Sequence, residues 1–196
     1  MKYKTLLLFG APGSGKGTQG KILGTIPNFF HCACGDVFRN LRIDHELGRI
    51  FIEFSSRGEL VPDDPTIRLW EKSIAGSQQL GHFHPEKDTL ILDGIPRSVT
   101  QAEMLEESLD VRGVLNLTCR DFDKLVERLQ RRALRENRLD DANLSVIRAR
   151  LETYERDTKP VLDFYGPSLV QVIDSTQTPV NVLREILLAI AKLELG

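Results

Sequence analysis

Between Gly10 and Thr18 the chain reads Gly-Ala-Pro-Gly-Ser-Gly-Lys-Gly-Thr, with four glycines and one lysine in nine residues. Glycines let successive backbone N–H groups turn inward around a polyphosphate, and a helix that follows aims its positive end at the same anion. Lys16 adds a mobile cation for the outer phosphates, and a hydroxyl near the helix start can hold Mg²⁺. The pattern is G-x-x-x-x-G-K with Gly17 where Ser or Thr is usual, and the hydroxyl follows one residue later at Thr18. The chemistry expected here is the binding of a nucleoside polyphosphate by Gly13, Ser14, Gly15, Lys16, Gly17 and Thr18. Further along, Asp93-Gly94-Ile95-Pro96-Arg97 places a carboxylate and an arginine just after a second apolar run. Arg128, Arg132 and Arg135 recur at i, i+4 and i+7, which puts them on one face of a helix.

These residues need elements to hold them. Thr5–Phe9 and Thr89–Asp93 are continuous apolar runs of the kind found in strands buried on both faces. Further strands are expected over Phe29–Ala33, Gly113–Thr118 and Ser168–Ile173. The spacing predicts helices from Lys16 to about Leu23, over 36–43, 46–57 and 65–77, from Val99 to Leu109, and from Phe122 to Arg135 with Phe122, Leu125, Leu129 and Ala133 inward. A long helical stretch from Asn143 to Tyr165 is expected to kink or break at Pro160. A closing helix over 179–195 should turn Leu183, Leu187 and Ile190 inward, and Gly81–Asp88 reads as a polar loop. Strands alternating with helices give a parallel sheet covered on both sides.

The 196 residues suffice for one well-buried domain, and a net charge of −2 argues against a dedicated nucleic-acid or membrane-surface protein. Cys32, Cys34 and Cys119 form no disulfide framework and no zinc spacing, which suits a reducing cytoplasm. No run approaches the roughly 20 apolar residues needed to cross a bilayer.

By Arg97 the chain resembles the nucleoside monophosphate kinases, and among them adenylate kinases with a short lid. The resemblance covers essentially the whole sequence. Gly10–Gln19 is similar to the family's G-x-P-G-x-G-K-G-T-Q loop, and Asp36 with Arg39 to its G-D-x-x-R element. Glu59–Asp63 fits its G-E-L-V-P-D return, and Leu92–Arg97 with Gln101 its L-D-G-x-P-R-x-x-x-Q element. Arg138–Asp141 and Arg150–Tyr154 fit R-x-D-D and R-L-x-x-Y. The resemblance implies a P-loop NTPase fold, a three-layer α/β/α domain on a five-stranded parallel sheet, with core segments 1–33, 64–130 and 142–196. It also implies a helical monophosphate-binding insertion at 34–63 and a lid at 131–141 too short for a zinc-binding insert.

What it implies for the site follows residue by residue. Lys16, Arg97, Arg132, Arg138 and Arg150 match the cations around the transferring phosphoryl, and Arg128 the arginine covering the ATP base. Cys34, Arg39, Val61, Gly94, Arg97 and Gln101 match the AMP site. Thr18 and Asp93 match the groups that hold Mg²⁺, the carboxylate through water. The implied reaction is reversible Mg²⁺-dependent transfer from ATP to AMP, giving two ADP, by a monomer without zinc. Arginines suit it because they stay charged and grip phosphate bidentately.

Taken singly, each residue has a plainer reading. Arg128 or Arg132 alone is a solvated helix face, Asp93 a turn cap, Gln101 a helix surface, and Asp140 and Asp141 a hinge or cap. The basic stripe could bind nucleic acid, but aromatics do not interleave it. A phosphate-loop switch would need no second nucleotide site. Cys34 stands where adenylate kinases usually carry threonine and pyrimidine kinases alanine, so a pyrimidine or broad acceptor stays open beside AMP.

Overall fold

The computed structural model describes residues 2–42, 44–136 and 138–193. Five strands form one parallel sheet in the order β2-β3-β1-β4-β5. They are β1 (Tyr3–Phe9), β2 (Phe29–Ala33), β3 (Thr89–Asp93), β4 (Leu109–Thr118) and β5 (Val170–Asp174). The helices are α1 (Lys16–Leu23), α2 (Cys34–Arg39), α3 (Glu46–Arg57), α4 (Asp63–Gln79), α5 (Val99–Leu105), α6 (Phe122–Glu136), α7 (Leu144–Thr153), α8 (Val161–Tyr165) and α9 (Pro179–Ile190).

The continuous apolar runs are buried on both sides, as their composition implies. Leu7 and Phe9 of β1 pack with Trp70 of α4, Phe38 of α2 and Val161 of α8. Leu6 and Leu8, pointing the other way, pack with Leu23 of α1 and with Val182, Ile186 and Ile190 of α9. A third cluster, Leu125, Leu129, Ile147 and Leu151, joins α6 to α7 beside the phosphate loop. Truncating a fully buried leucine in such a core costs on the order of 2–5 kcal/mol.

Several boundaries depart from expectation. The helix expected to reach Leu109 ends at Leu105, because Leu109 already pairs with Tyr3 at the start of β4. The stretch from Asn143 breaks at a π turn, Tyr154–Thr158, before Pro160 is reached. There Lys159 N–H donates to Tyr154 O, one residue beyond the α-helical partner. The inward stripe of α9 is Val182, Ile186 and Ile190, while Leu187 is exposed. Phe122, the first residue of α6, is also exposed, and the buried stripe there starts at Leu125. Phe83, inside the supposedly polar loop, is buried and stacks on Phe30 at 4.9 Å between ring centroids. Ile43, Asn137, Glu194 and Leu195, to which expected elements extended, lie outside the described residues.

Candidate active site

Register sets the site. Leu8 lies beside Asp93, and Asp93 beside Ala33, so β1, β3 and β2 end level with one another. The phosphate loop leaves β1, Cys34 follows β2, and Gly94 follows β3 at the same edge. In open parallel sheets, ligands bind at this carboxyl edge where the strand order reverses. A cleft of about 780 Å³ opens there. The site residues named from the sequence all line it: Gly13–Thr18, Asp93, Arg128, Arg132, Arg138 and Arg150, with Cys34, Arg39, Val61, Gly94, Arg97 and Gln101.

The loop's glycines are required by space. At Gly10, with φ of 138°, a Cβ would come 2.3 Å from Leu117 O and 2.6 Å from Ser14 Oγ. At Gly13, with φ of 84°, it would meet Leu125 O at 2.9 Å. Gln19 N–H donates to Gly15 O at 3.1 Å, so the N–H groups of Lys16, Gly17 and Thr18 precede the helical bonding ladder at the positive end of α1. Ser14 Oγ is buried with no hydrogen-bond partner. Lys16 Nζ donates to Gly10 O at 2.6 Å and Ala11 O at 3.1 Å. Burial lowers its pKa to about 8, against the pull of Asp93 and with the push of Arg97, Arg132 and Arg150.

Arg128 crosses from α6 to the loop, donating to Ser175 O at 2.8 Å and Gly13 O at 3.4 Å. Arg132, Arg138 and Arg150 gather on two carboxylates. Asp141, fully buried, takes Arg132 Nε at 2.6 Å, Arg150 Nη1 in a short contact and Arg138 Nε at 3.4 Å. Asp140 takes Arg138 at 2.8 Å and Arg150 at 2.9 Å. Burial lowers the Arg150 pKa to about 10 even beside these anions. Burial pushes the Asp140 carboxyl up, yet Arg138's hydrogen bond and the arginine charges bring it down to about 2. Arg132 Nη2 is buried and unbonded.

Arg97 is held by its own loop, Nε donating to Gly94 O at 2.8 Å. It has no carboxylate within salt-bridge distance among the described residues, and burial depresses its pKa. Arg39 pairs with Asp36, whose carboxyl is held below its ordinary value by that bond despite burial. Cys34 is 2% exposed, and burial pushes its thiol up to about 11. Gln101 is buried, its amide bonded to Arg97 N–H and to Asp63.

Asp93 is buried at the end of β3, and its carboxylate makes no hydrogen bond to the described residues. Within salt-bridge distance among the described residues it meets His31 Nε2 at 3.8 Å, an atom without a hydrogen-bond partner. A Cβ on Gly17 would stand 3.7 Å from Asp93 Oδ2, so the glycine leaves room between α1 and the carboxylate. Among the described residues no cluster of three or more His, Cys, Asp or Glu is arranged around a metal position. Sequence reasoning missed His31, Asp63 and Ser175 as partners of site residues. Their contacts cross 62, 38 and 47 positions of chain, and local pattern carries no signal for them. No described helix is long and apolar enough to cross a membrane.

A glycine-rich phosphate loop on a β2-β3-β1-β4-β5 parallel sheet, opening with arginines from several elements into one cleft, is the layout of a nucleoside monophosphate kinase. A model of the adenylate kinase family matches residues 8–169. The adenylate kinase of a Cyanothece species is 38% identical over 188 residues, 92% of this chain and 92% of that protein. The adenylate kinase of a Synechococcus species is 39% identical over 166 residues, covering 82% and 81%. That of Flavobacterium psychrophilum is 35% identical over 166 residues, covering 82% and 83%. The chain belongs to the adenylate kinase family.

Proposed function

We infer that this chain transfers a phosphoryl group from ATP to AMP, reversibly, giving two ADP, and that the cleft residues divide the work as follows. The amides of Gly13–Thr18 and Lys16 hold the β- and γ-phosphates of ATP, with Arg128 over its base. Arg39 and Arg97 hold the acceptor phosphate. Arg132, Arg138 and Arg150 exchange part of their hold on Asp140 and Asp141 for the transferring group, whose charge they stabilise in the transition state. Residues 34–63 act as the acceptor-binding insertion and 131–141 as the lid, excluding water that would otherwise hydrolyse ATP.

One observation carries the reading. Buried groups that suit anions keep bonding capacity in the cleft: among the described residues Arg97 has no carboxylate partner, and Ser14 Oγ and Arg132 Nη2 make no hydrogen bond. A switch with one nucleotide has no use for Arg97 and Arg39 beyond the loop and Lys16.

Asp93 and Thr18 fit Mg²⁺, a hard cation that takes oxygen ligands and retains waters. Among the described residues the Asp93 carboxylate makes no hydrogen bond, and Gly17 leaves space beside it. When bound, Mg²⁺ would neutralise charge on the ATP phosphates. Gln101 reads the acceptor base through its amide.

The test is an acceptor panel of AMP, dAMP, UMP, CMP and GMP with ATP–Mg²⁺, following ADP. AMP is expected to be the best acceptor, with dAMP usable and UMP and CMP poor. ATP consumption that AMP fails to accelerate would refute the two-nucleotide reading.

A further inference from the structure

The Gln101 amide is held at both ends by groups that admit only one orientation. Its Oε1 accepts from Arg97 N–H at 2.8 Å, and a backbone N–H can only donate. Its Nε2 donates to Asp63 Oδ1 at 2.8 Å, and a carboxylate can only accept. The sense of the amide follows from these partners alone. Both partners are themselves fixed. Thr158 Oγ1 donates to Arg97 O at 2.9 Å, steadying the peptide that follows the bonded N–H. Ser98 Oγ donates to Asp63 Oδ1 at 3.0 Å and accepts from Gln101 N–H at 3.1 Å, which ties the start of α4 to the start of α5. Asp63 does not line the cleft, whereas Gln101 does.

We propose that Asp63 is a positioning residue that sets acceptor-base choice. By pinning Gln101 Nε2 while Arg97 N–H pins Oε1, it holds the amide in the sense that accepts a 6-aminopurine monophosphate and refuses a 6-oxopurine one. This rests on the reading that Gln101 faces the acceptor base. The held amide keeps one Nε2 hydrogen and one Oε1 lone pair to spare. A 6-aminopurine offers a ring-nitrogen acceptor beside an amino donor, which complements that pair. A 6-oxopurine in the same pose offers N–H against N–H and oxygen against oxygen, and leaves buried polar groups unpaired. Flipping the amide to suit it would set an NH₂ against Arg97 N–H and an oxygen against the Asp63 carboxylate.

The test compares kcat/KM for AMP and IMP as acceptors, with ATP–Mg²⁺ saturating, in the parent, Asp63→Ala, Asp63→Asn and Gln101→Ala. Asp63→Ala should lower the AMP-over-IMP preference about tenfold through loss of one charge-assisted bond, and leave the ATP KM within about twofold, since the ATP side is untouched. Asp63→Asn keeps an oxygen for both bonds and should restore most of the preference. Asp63→Ser keeps a small polar side chain in the first turn of α4 but is too short to reach Gln101, so it gives the same reading should Asp63→Ala fold poorly. If Gln101→Ala abolishes the preference while Asp63→Ala and Asp63→Ser keep it, Asp63 merely ties two helices together and the proposal is wrong. If Gln101→Ala also leaves the preference intact, the acceptor reading of Gln101 falls first.

Discussion

Lys16 turns back to its own loop, its Nζ donating to Gly10 O at 2.6 Å and to Ala11 O at 3.1 Å. The ammonium is part-buried, and desolvation brings its pKa from 10.5 to about 8. On the proposed role of Lys16, ATP would replace these two neutral carbonyl acceptors with phosphate anions and favour the charged form again. ATP binding should therefore take up a proton above pH 8. Its Kd should be flat below about pH 7 and weaken by up to about tenfold per pH unit beyond 8. Calorimetry in buffers of different ionisation enthalpy would measure the uptake, and Lys16→Met should abolish it. Lys16→Ala should lose at least about 10²-fold in rate. Since the folded value lies below the unfolded one, the ligand-free protein should gain stability as pH rises from about 8 to 10.5.

Asp140 has the opposite linkage. Its folded pKa, about 2, lies below the ordinary 3.8, so its contribution to stability is full above 3.8 and is lost as pH falls towards 2. With a side chain only 16% exposed, the shift corresponds to about 2 kcal/mol. Asp140→Asn should lower unfolding stability by about that amount at pH 6, measured in urea. The gap from the parent should narrow in the same titration at pH 3.

Gly20→Ala reverses an ordinary expectation. In an exposed helix interior the change stabilises by about 1 kcal/mol. Here a Cβ on Gly20 would stand 2.3 Å from His31 Nε2, and one on Gly24 2.7 Å from His31 Cβ, so the imidazole fills a groove that glycines leave along α1. Gly20→Ala should cost about 1–3 kcal/mol instead. The double variant with His31→Ala should be less damaged than the sum of the two single changes, measured by thermal unfolding.

The sheet and the phosphate loop were legible because their signals are local. A run such as Leu6–Leu8 is apolar at every position since both faces are covered, and glycine spacing before Lys16 has few other uses. Helix faces were less so. The α9 stripe was misplaced by a residue near its start because Leu183 and Leu187 are as apolar as Val182 and Ile186, and only the packing against Leu6 and Leu8 decides. Phe83 read as loop because its neighbours are polar, yet it is the stacking partner of Phe30, 53 positions earlier. At the site, residue types pointed to the cations, but not to what holds them apart from phosphate. Asp140 and Asp141 read equally well as a hinge, and their grip on three arginines appears only when α6 and α7 are brought together.

Cys34 offers the last prediction. Its thiol is buried at the start of α2, lines the cleft and is raised to about 11, so it is neutral at ordinary pH. Cys32 is buried too and is raised to about 12, whereas Cys119 is partly open. An aromatic disulfide should thus titrate one thiol quickly in the native protein, and Cys119→Ser should remove that phase. A neutral thiol is a weak donor, while a threonine hydroxyl of similar size donates and accepts well. Cys34→Thr should therefore sharpen the preference for AMP over UMP by about fivefold, the worth of roughly one neutral hydrogen bond. The ratio of kcat/KM values measures it. A fall in that ratio would mean that Cys34 contributes as a small apolar surface rather than as a weakened threonine, and the acceptor pocket would then be expected to admit pyrimidines.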